Sequence, residues 1–489
     1  MHSVSIAQPA EASDADIRLG YVWLIAFVAA FGGFLFGYDW VVIGGAKPFY
    51  EAYFHLRSPQ AIAWANSSAL VGCFLGSLIA GRISDRYGRR AALAVAAIVF
   101  AGSSILTGWS FSFSAFIAWR ILGGVAIGLA SNISPTYIAE VSPAGWRGRL
   151  VSLNQLALVI GILLAQIANW RIAQPVPPQA TQAIIAASWN GQLGWRWMFS
   201  AVAIPAFILL ICVPLIPESP RWLMTRGRKE DAKAVLSRIG GPSYGEREAE
   251  AIGASLKGTA GEGWRGLLSP EIRGLLLIGF LLAILQQFSG INIIFNYAEE
   301  VYRNAGYGVS DILFNIVITG TINLIFTLVA MGLVDRVGRR GLMIFGCFGI
   351  GLSHAAASYA YHLGAGGIGI LALTLSAIGC YAMSLAPVTW VLISEIFPNR
   401  VRASAVSASV AVLWIASFVL TYTFPFLNAA LGTAGTFLIY GGICLAGGVF
   451  VIAKVPETRG RSLENMAVAP SASAASQQAR DLSSESASS

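Results

Sequence analysis

The stretch GRISDRYGRR at residues 81–90 returns as GLVDRVGRR at 332–340, aligning Asp85 with Asp335, Arg86 with Arg336 and Gly88 with Gly338. A second phrase repeats at nearly the same distance. AEVSPAGWRGRLVS at 139–152 answers SEIFPNRVRASAVS at 394–407, pairing Glu140, Pro143 and Arg147 with Glu395, Pro398 and Arg402. A third echo, PESPRWL from 217 against PETRGRSLE from 456, closes the two copies. The chain is written twice, and a duplicated plan predicts two halves of like architecture.

The residues between these phrases set the solvent of the fold. Of 489 residues, 56% are hydrophobic and 11% are charged, whereas a soluble domain carries about 25% charged residues. Repeated apolar runs are long enough for the roughly 20 helical residues that cross a bilayer. They predict an all-α membrane protein, because a barrel would alternate polar and apolar residues instead. Twelve spans are expected, at 20–45, 62–82, 91–109, 114–136, 150–171, 196–217, 273–295, 311–333, 341–361, 367–393, 404–424 and 435–455.

The organisation that follows is a cytoplasmic tail at 1–19 and a six-helix half at 20–217. A linker at 218–272 comes next, then a second six-helix half at 273–455 and a disordered Ser/Ala-rich tail at 456–489. The linker is rich in helix formers from Arg226 to Arg238 and looser and glycine-rich around 240–263, so short amphipathic helices on the cytoplasmic face are expected. The stretch through Ile17 holds Glu11, Asp14 and Asp16 and has neither the basic start nor the short apolar core of a cleaved signal peptide.

The net charge of +8 has a topological explanation rather than a nucleic-acid one. Arg82, Arg86, Arg89, Arg90, Arg147, Arg149, Arg336, Arg339, Arg340, Arg400, Arg402, Lys454, Arg459 and Arg461 all fall at one side of the twelve-span plan. Lys47, Arg57, Arg171, Arg196 and Arg303 fall at the other. The positive-inside rule then puts both termini in the cytoplasm. The five cysteines are scattered through the apolar spans, and the four histidines form no metal-binding pattern, so neither a metal nor a cofactor is expected. No span holds a nucleophile with a base or a phosphate loop, so the chain is not expected to be an enzyme.

GFLFGYD at 33–39, the two repeated phrases, PESPRWL, QQFSGIN at 286–292, SEIFP at 394–398 and PETRG stand in order along the chain. Together they resemble the sugar porter family of the major facilitator superfamily, from span one to PETRG. The resemblance implies the major facilitator fold, two pseudo-symmetric six-helix halves with short cytoplasmic helices between them. It also implies transport of a monosaccharide across the plasma membrane, by a multi-pass carrier that works as a monomer in the lipid bilayer. The arrangement fits a recurring transporter plan, in which one half rocks against the other around a midplane site.

A sugar is neutral and covered with hydroxyls, so its site needs amides, which donate and accept, and an aromatic face. Gln155, Gln286, Gln287, Asn292, Asn323 and Trp390 interrupt apolar runs, and a break at Gly290 would free Gln286 and Asn292 from sharing one helix face. All six match sugar-contacting positions of the family, with Phe36 and Trp414 added as aromatic walls. The competing reading for any one amide is an interhelical hydrogen bond. Leu413 stands where many relatives place an amide, Ile162 stands where xylose symporters carry a second glutamine, and Asn296 replaces the first tyrosine of an outer gating pair. These departures make a hexose the expectation over a pentose.

Two charges remain. An ionised carboxylate at mid-membrane costs about 2.5 to 3.5 kcal/mol on insertion scales, so Asp39 needs a partner, a proton or both. Arg120, in WRILGG early in span four, is the matching cation, able to hold the carboxylate bidentately. In the family this pair accompanies proton coupling, with H+ as the only coupling species, whereas facilitative carriers replace the acid. A facilitative uniporter and a non-transporting sugar sensor are the alternatives, and a permanent structural salt bridge is the blander reading of the pair. At the basic ends, Asp85, Arg86, Arg90, Glu140, Arg147, Asp335, Arg336, Arg340, Glu395 and Arg402 are expected to form a cytoplasmic gate. Glu140, Arg147, Glu395 and Arg402 are expected to pair across the two halves.

Overall fold

The computed structural model describes residues 17–177, 180–258, 266–398 and 400–458. The tail through Asp16, the linker at 259–265, Arg459, Arg461 and the rest of the Ser/Ala-rich tail, and the side chain of Asp335 lie outside the described residues.

Span one is the helix Leu19–Tyr53, which runs past the expected end at Gly45 and through Pro48. Past Gly45, Lys47 and Glu51 pair at 2.9 Å, so the helix continues without exposing either charge. Spans two and four, Pro59–Tyr87 and Phe113–Val141, begin at serine caps. Ser58 Oγ accepts from Ala61 N at 3.1 Å and Ser112 Oγ from Ala115 N at 3.2 Å, each satisfying an orphan donor of the first turn. Spans three and five are Arg89–Gly108 and Arg147–Ile172. Span six occupies Asn190–Leu215, opening on a π turn at Asn190–Gly194, so it starts earlier than expected.

The linker forms the helix Pro220–Thr225 and then Lys229–Gly258, bent at Gly240 and Gly241. Helix therefore extends through much of the stretch expected to be loose. The two glycines absorb the bend, Gly241 at φ 83°, and the residues beyond them are again good helix formers.

Span seven breaks where the sequence allowed, at Gly290 in the left-handed region, giving Pro270–Phe288, Ile291–Asn296 and Ala298–Asn304. Spans eight and nine are Val309–Val337 and Arg339–His362. Span ten is interrupted at Ser384, into Ile368–Met383 and Leu385–Glu395. The last helix, Arg402–Lys454, turns a corner at Gly432 (φ 66°, ψ 175°), so spans eleven and twelve meet with almost no loop. Among the described residues, eleven helices are long and apolar enough to cross a membrane, and the last of them supplies two crossings.

Close packing rests on glycine. A Cβ at Gly72 would overlap the carbonyl of Ile121, and one at Gly124 the carbonyl of Ala69, which seals span two on span four. Gly37 and Gly161 do the same for spans one and five against the backbone of Leu158 and Phe34. In a bilayer, where apolar burial against lipid gives little, such backbone approach is a main source of helix association. Between the halves, span two packs on span eleven and span five on span eight, while span one touches the broken end of span seven.

Candidate functional site

Arg120 and Asp39 meet in the middle of the first half, both 3% exposed. A single nitrogen, Nη1, sits between the carboxylate oxygens, 3.2 Å from Oδ1 and 3.1 Å from Oδ2. The two-nitrogen fork expected from the sequence is not what forms. Nε has no partner, and the guanidinium carbon lies 5.5 Å from the centre of the Phe199 ring, which turns the fork away from the carboxylate. A contact made through one nitrogen is easier to exchange than a forked one. Arg120 borders a small cavity that Trp40, Asn66 and Asn296 also line, so residues of both halves face it.

The amides of span seven form a chain. Asn292 Nδ2 donates to Gln287 Oε1 at 2.6 Å, Gln287 Nε2 donates to Gln286 Oε1 at 2.9 Å, and Gln286 Nε2 reaches the Leu385 carbonyl at 3.5 Å. The left-handed turn at Gly290 carries Asn292 back to Gln287, and the interruption at Ser384 puts the Leu385 carbonyl within reach of Gln286. Trp390 lies five residues beyond Leu385, half-buried. An aromatic cluster bridges the halves: Trp414 lies 5.8 Å from Phe36 and 6.0 Å from Trp40, ring to ring, with its indole N–H unpaired. Gln155 is half-buried and Asn323 buried. Neither they nor Trp390 make a side-chain hydrogen bond among the described residues, so the structure does not tie these three to the span-seven chain.

At the end away from the arginine-rich loops, the halves are joined by charges the sequence reading did not single out. Lys47 Nζ lies 2.9 Å from Glu51 Oε1, 3.5 Å from Glu299 Oε2 and 2.5 Å from Glu300 Oε1. Arg303 also pairs with Glu299. Tyr297 supports the seal, its ring tilted against Phe424 at 4.5 Å between centres and its hydroxyl donating to the Thr421 carbonyl at 2.8 Å. Asn296 points into the small cavity with Oδ1 unpaired. A lysine followed four residues later by a glutamate, at the end of an apolar run, was the available signal.

At the basic end the repeat is reproduced residue for residue, and the expected pairing of Glu140 and Glu395 across the halves is corrected. Glu140 accepts from Arg89 Nε at 3.0 Å and Nη2 at 3.1 Å and from Ser219 Oγ at 2.5 Å. Glu395 likewise meets Arg339 Nη2 at 3.4 Å and accepts from Thr458 Oγ1 at 2.6 Å. Neither glutamate meets the opposite half: Arg89 and Arg339 belong to the same half as their glutamate, Ser219 opens the linker that follows the first half, and Thr458 lies just past the end of the second. Two further carboxylates, absent from the expected gate, cap the helices that follow. Glu218 accepts from the backbone N–H of Arg89 at 2.8 Å, and Glu457 from that of Arg339 at 3.0 Å, just after Gly88 and Gly338 with φ 94° and 91°. Negative charge at a helix N-terminus satisfies its free donors.

Of the other expected gate residues, Asp85 pairs with Arg89 at 3.0 Å, and Arg86 lies over the Tyr87 ring. Arg90 offers its N–H to Glu218, and Arg147 Nε donates to the Ala139 carbonyl. Arg340 reaches the Ile452 carbonyl, and Arg402 reaches that of Phe397. Arg336 is exposed at the end of span eight.

Two six-helix halves joined face to face, with polar side chains buried along the seam and a charge pair inside one half, define a membrane carrier rather than an enzyme. A family model described as "Sugar (and other) transporter" matches residues 25–469. The D-xylose-proton symporter of Escherichia coli is 37% identical over 477 residues, covering 91% of this chain and 95% of its own. A glucose transport protein of Synechocystis is 39% identical over 469 residues, covering 93% and 98%. The E. coli xylose transporter in a partially occluded inward-open conformation superimposes with a TM-score of 0.80 at 35% identity, over 91% of this chain and 100% of that one. The chain belongs to the sugar porter family of the major facilitator superfamily, and its fold is the twelve-helix fold of that superfamily.

Proposed function

We propose that the protein is a proton-coupled monosaccharide symporter of the plasma membrane, working as a monomer by alternating access with both termini in the cytoplasm. The observation that carries the coupling is the contact of Arg120 Nη1 with both oxygens of buried Asp39, at the edge of a cavity shared by the two halves. With Asp39 ionised, the pair is neutral overall and held together. A proton on Asp39 removes the attraction, frees Arg120 toward the cavity and lets the loaded carrier turn over. The empty carrier returns after the proton has left. One charge crossing 100 mV is worth about 2.3 kcal/mol, and 1.4 kcal/mol is a factor of ten, so one proton can concentrate sugar on the order of fifty-fold.

The amide chain of Gln286, Gln287 and Asn292 supplies donors and acceptors to hydroxyls, with Gln155, Asn323, Trp390, Phe36 and Trp414 completing the site. A preference for hexose has no support from the similar proteins, whose names include both xylose and glucose, so the proposal is to the class of monosaccharide. The basic end faces the cytoplasm by the positive-inside rule.

Replacing Asp39 with Asn is expected to abolish accumulation and sugar-driven alkalinisation of the medium while sparing sugar exchange. Full accumulation by that variant would refute the coupling. Robust uptake by the wild type without alkalinisation would instead indicate a uniporter, and sugar binding without uptake a sensor.

A further inference from the structure

Gln166, in span five, is 1% exposed, and neither its amide oxygen nor its amide nitrogen has a hydrogen-bond partner. A buried, unpaired amide costs stability in any fold. An amide serving as glue between helices would instead be bonded across them. A place has nonetheless been made for it. Gly320 of span eight lies against the carboxamide, and a Cβ at that position would overlap Gln166 Oε1. The notch is formed by the opposite half, so the amide sits at the seam along which the halves move.

Its place along span five is informative. Eleven residues separate Gln155 from Gln166, which in an α-helix is a rotation of about 20° and a rise of about 16 Å. The two amides therefore share one face, with Gln166 nearer the end sealed by Lys47. Ile162, one turn from Gln166, brings no polar group to that face. On span eight, Asn323 follows Gly320 by three residues and lies on the same side of its helix.

Resting on the sugar-transport reading above, we infer that Gln166 is a specificity-determining residue, whose amide bonds a hydroxyl on the side of the sugar that faces the Lys47 end. The unpaired donor and acceptor are satisfied by substrate, and the stability given up in the empty carrier is regained on binding.

The test is competition of labelled D-xylose or D-glucose uptake by monodeoxy analogues of whichever sugar the wild type carries, in wild type and in Gln166→Leu. Removing the hydroxyl that Gln166 binds is expected to weaken competition about ten-fold in the wild type, the size of one hydrogen bond, and not at all further in the variant. KM of the variant for the parent sugar is expected to rise by a similar factor with its maximal rate retained. The same analogue profile in both proteins, or a lowered maximal rate at unchanged KM, would overturn the inference while leaving sugar transport intact. Uptake of neither sugar by the wild type would sink the transport reading and the inference with it. Should Gln166→Leu fail to insert, Gly320→Ala, which displaces the amide from the opposite half, is expected to give the same loss of discrimination, and an unchanged profile there overturns the inference equally.

Discussion

Arg89 holds Glu140 through two parallel hydrogen bonds, Nε to Oε2 at 3.0 Å and Nη2 to Oε1 at 3.1 Å, and both residues belong to the first half. The counterpart in the second half is Arg339 with Glu395. Each half thus carries its own clamp at the basic end, so the two can separate there without breaking either. A clamp of this kind stabilises a half as a rigid body. It does not by itself hold the halves together.

Replacing Glu140 with Ala removes a charge-assisted fork whose members are mostly buried, worth about 1.5 to 3 kcal/mol. The thermal midpoint of the purified protein is expected to fall. Double-mutant cycles distinguish the clamp from a gate: Arg89 with Glu140 is expected to couple, and Arg89 with Glu395 to be additive. Strong coupling in the second cycle would restore the gate across the halves.

At the other end the charges do cross. Lys47 comes from span one, and Glu299 and Glu300 from the last segment of span seven. Removing one partner of a buried cluster leaves uncompensated charge, at about 3 to 5 kcal/mol. Lys47→Met strands Glu51 and Glu300 in the closed arrangement and leaves Glu299 with Arg303 alone, so it should favour opening at this end. With Cys73, Cys212, Cys347, Cys380 and Cys444 replaced by serine, a cysteine at position 296 reports the opening to an impermeant thiol reagent. Labelling is expected to accelerate a hundred-fold or more in the Lys47 variant, taking about 1.4 kcal/mol per factor of ten. An unchanged rate would mean that the cluster does not hold the closed state.

How much of this was legible depended on whether the constraint was local or between distant residues. The duplication and the spans could be read because the bilayer leaves few options for a chain this apolar. Asp39 and Arg120 could be matched because a lone charge in a membrane needs a partner and few were on offer. The break at Gly290 was legible too. Which arginine would hold Glu140 was not, since the repeat places basic residues near both glutamates and says nothing of which half each one meets. Lys47 reads from sequence only as an outer positive charge, since its partners at 299 and 300 lie some 250 residues away. The glycines of span one could have served motion or packing, and Gly37, set against the backbone of Leu158, serves packing.

Gly290 allows a sharper test, because its role in the site is geometric. At φ 79° it takes a conformation that costs another residue about 1 to 2 kcal/mol, and a Cβ there would come within 2.8 Å of Cδ2 in the Tyr440 ring. Gly290→Ala should therefore shift the turn that brings Asn292 to Gln287. If that turn matters to sugar through Asn292, Gly290→Ala and Asn292→Ala should each raise the KM for sugar. The double variant should then lose little beyond Asn292→Ala alone, since an amide that is absent cannot be misplaced. Effects that add in full would show that Gly290 acts elsewhere, on the packing of span seven against span twelve, and would separate the turn from the chemistry of the site.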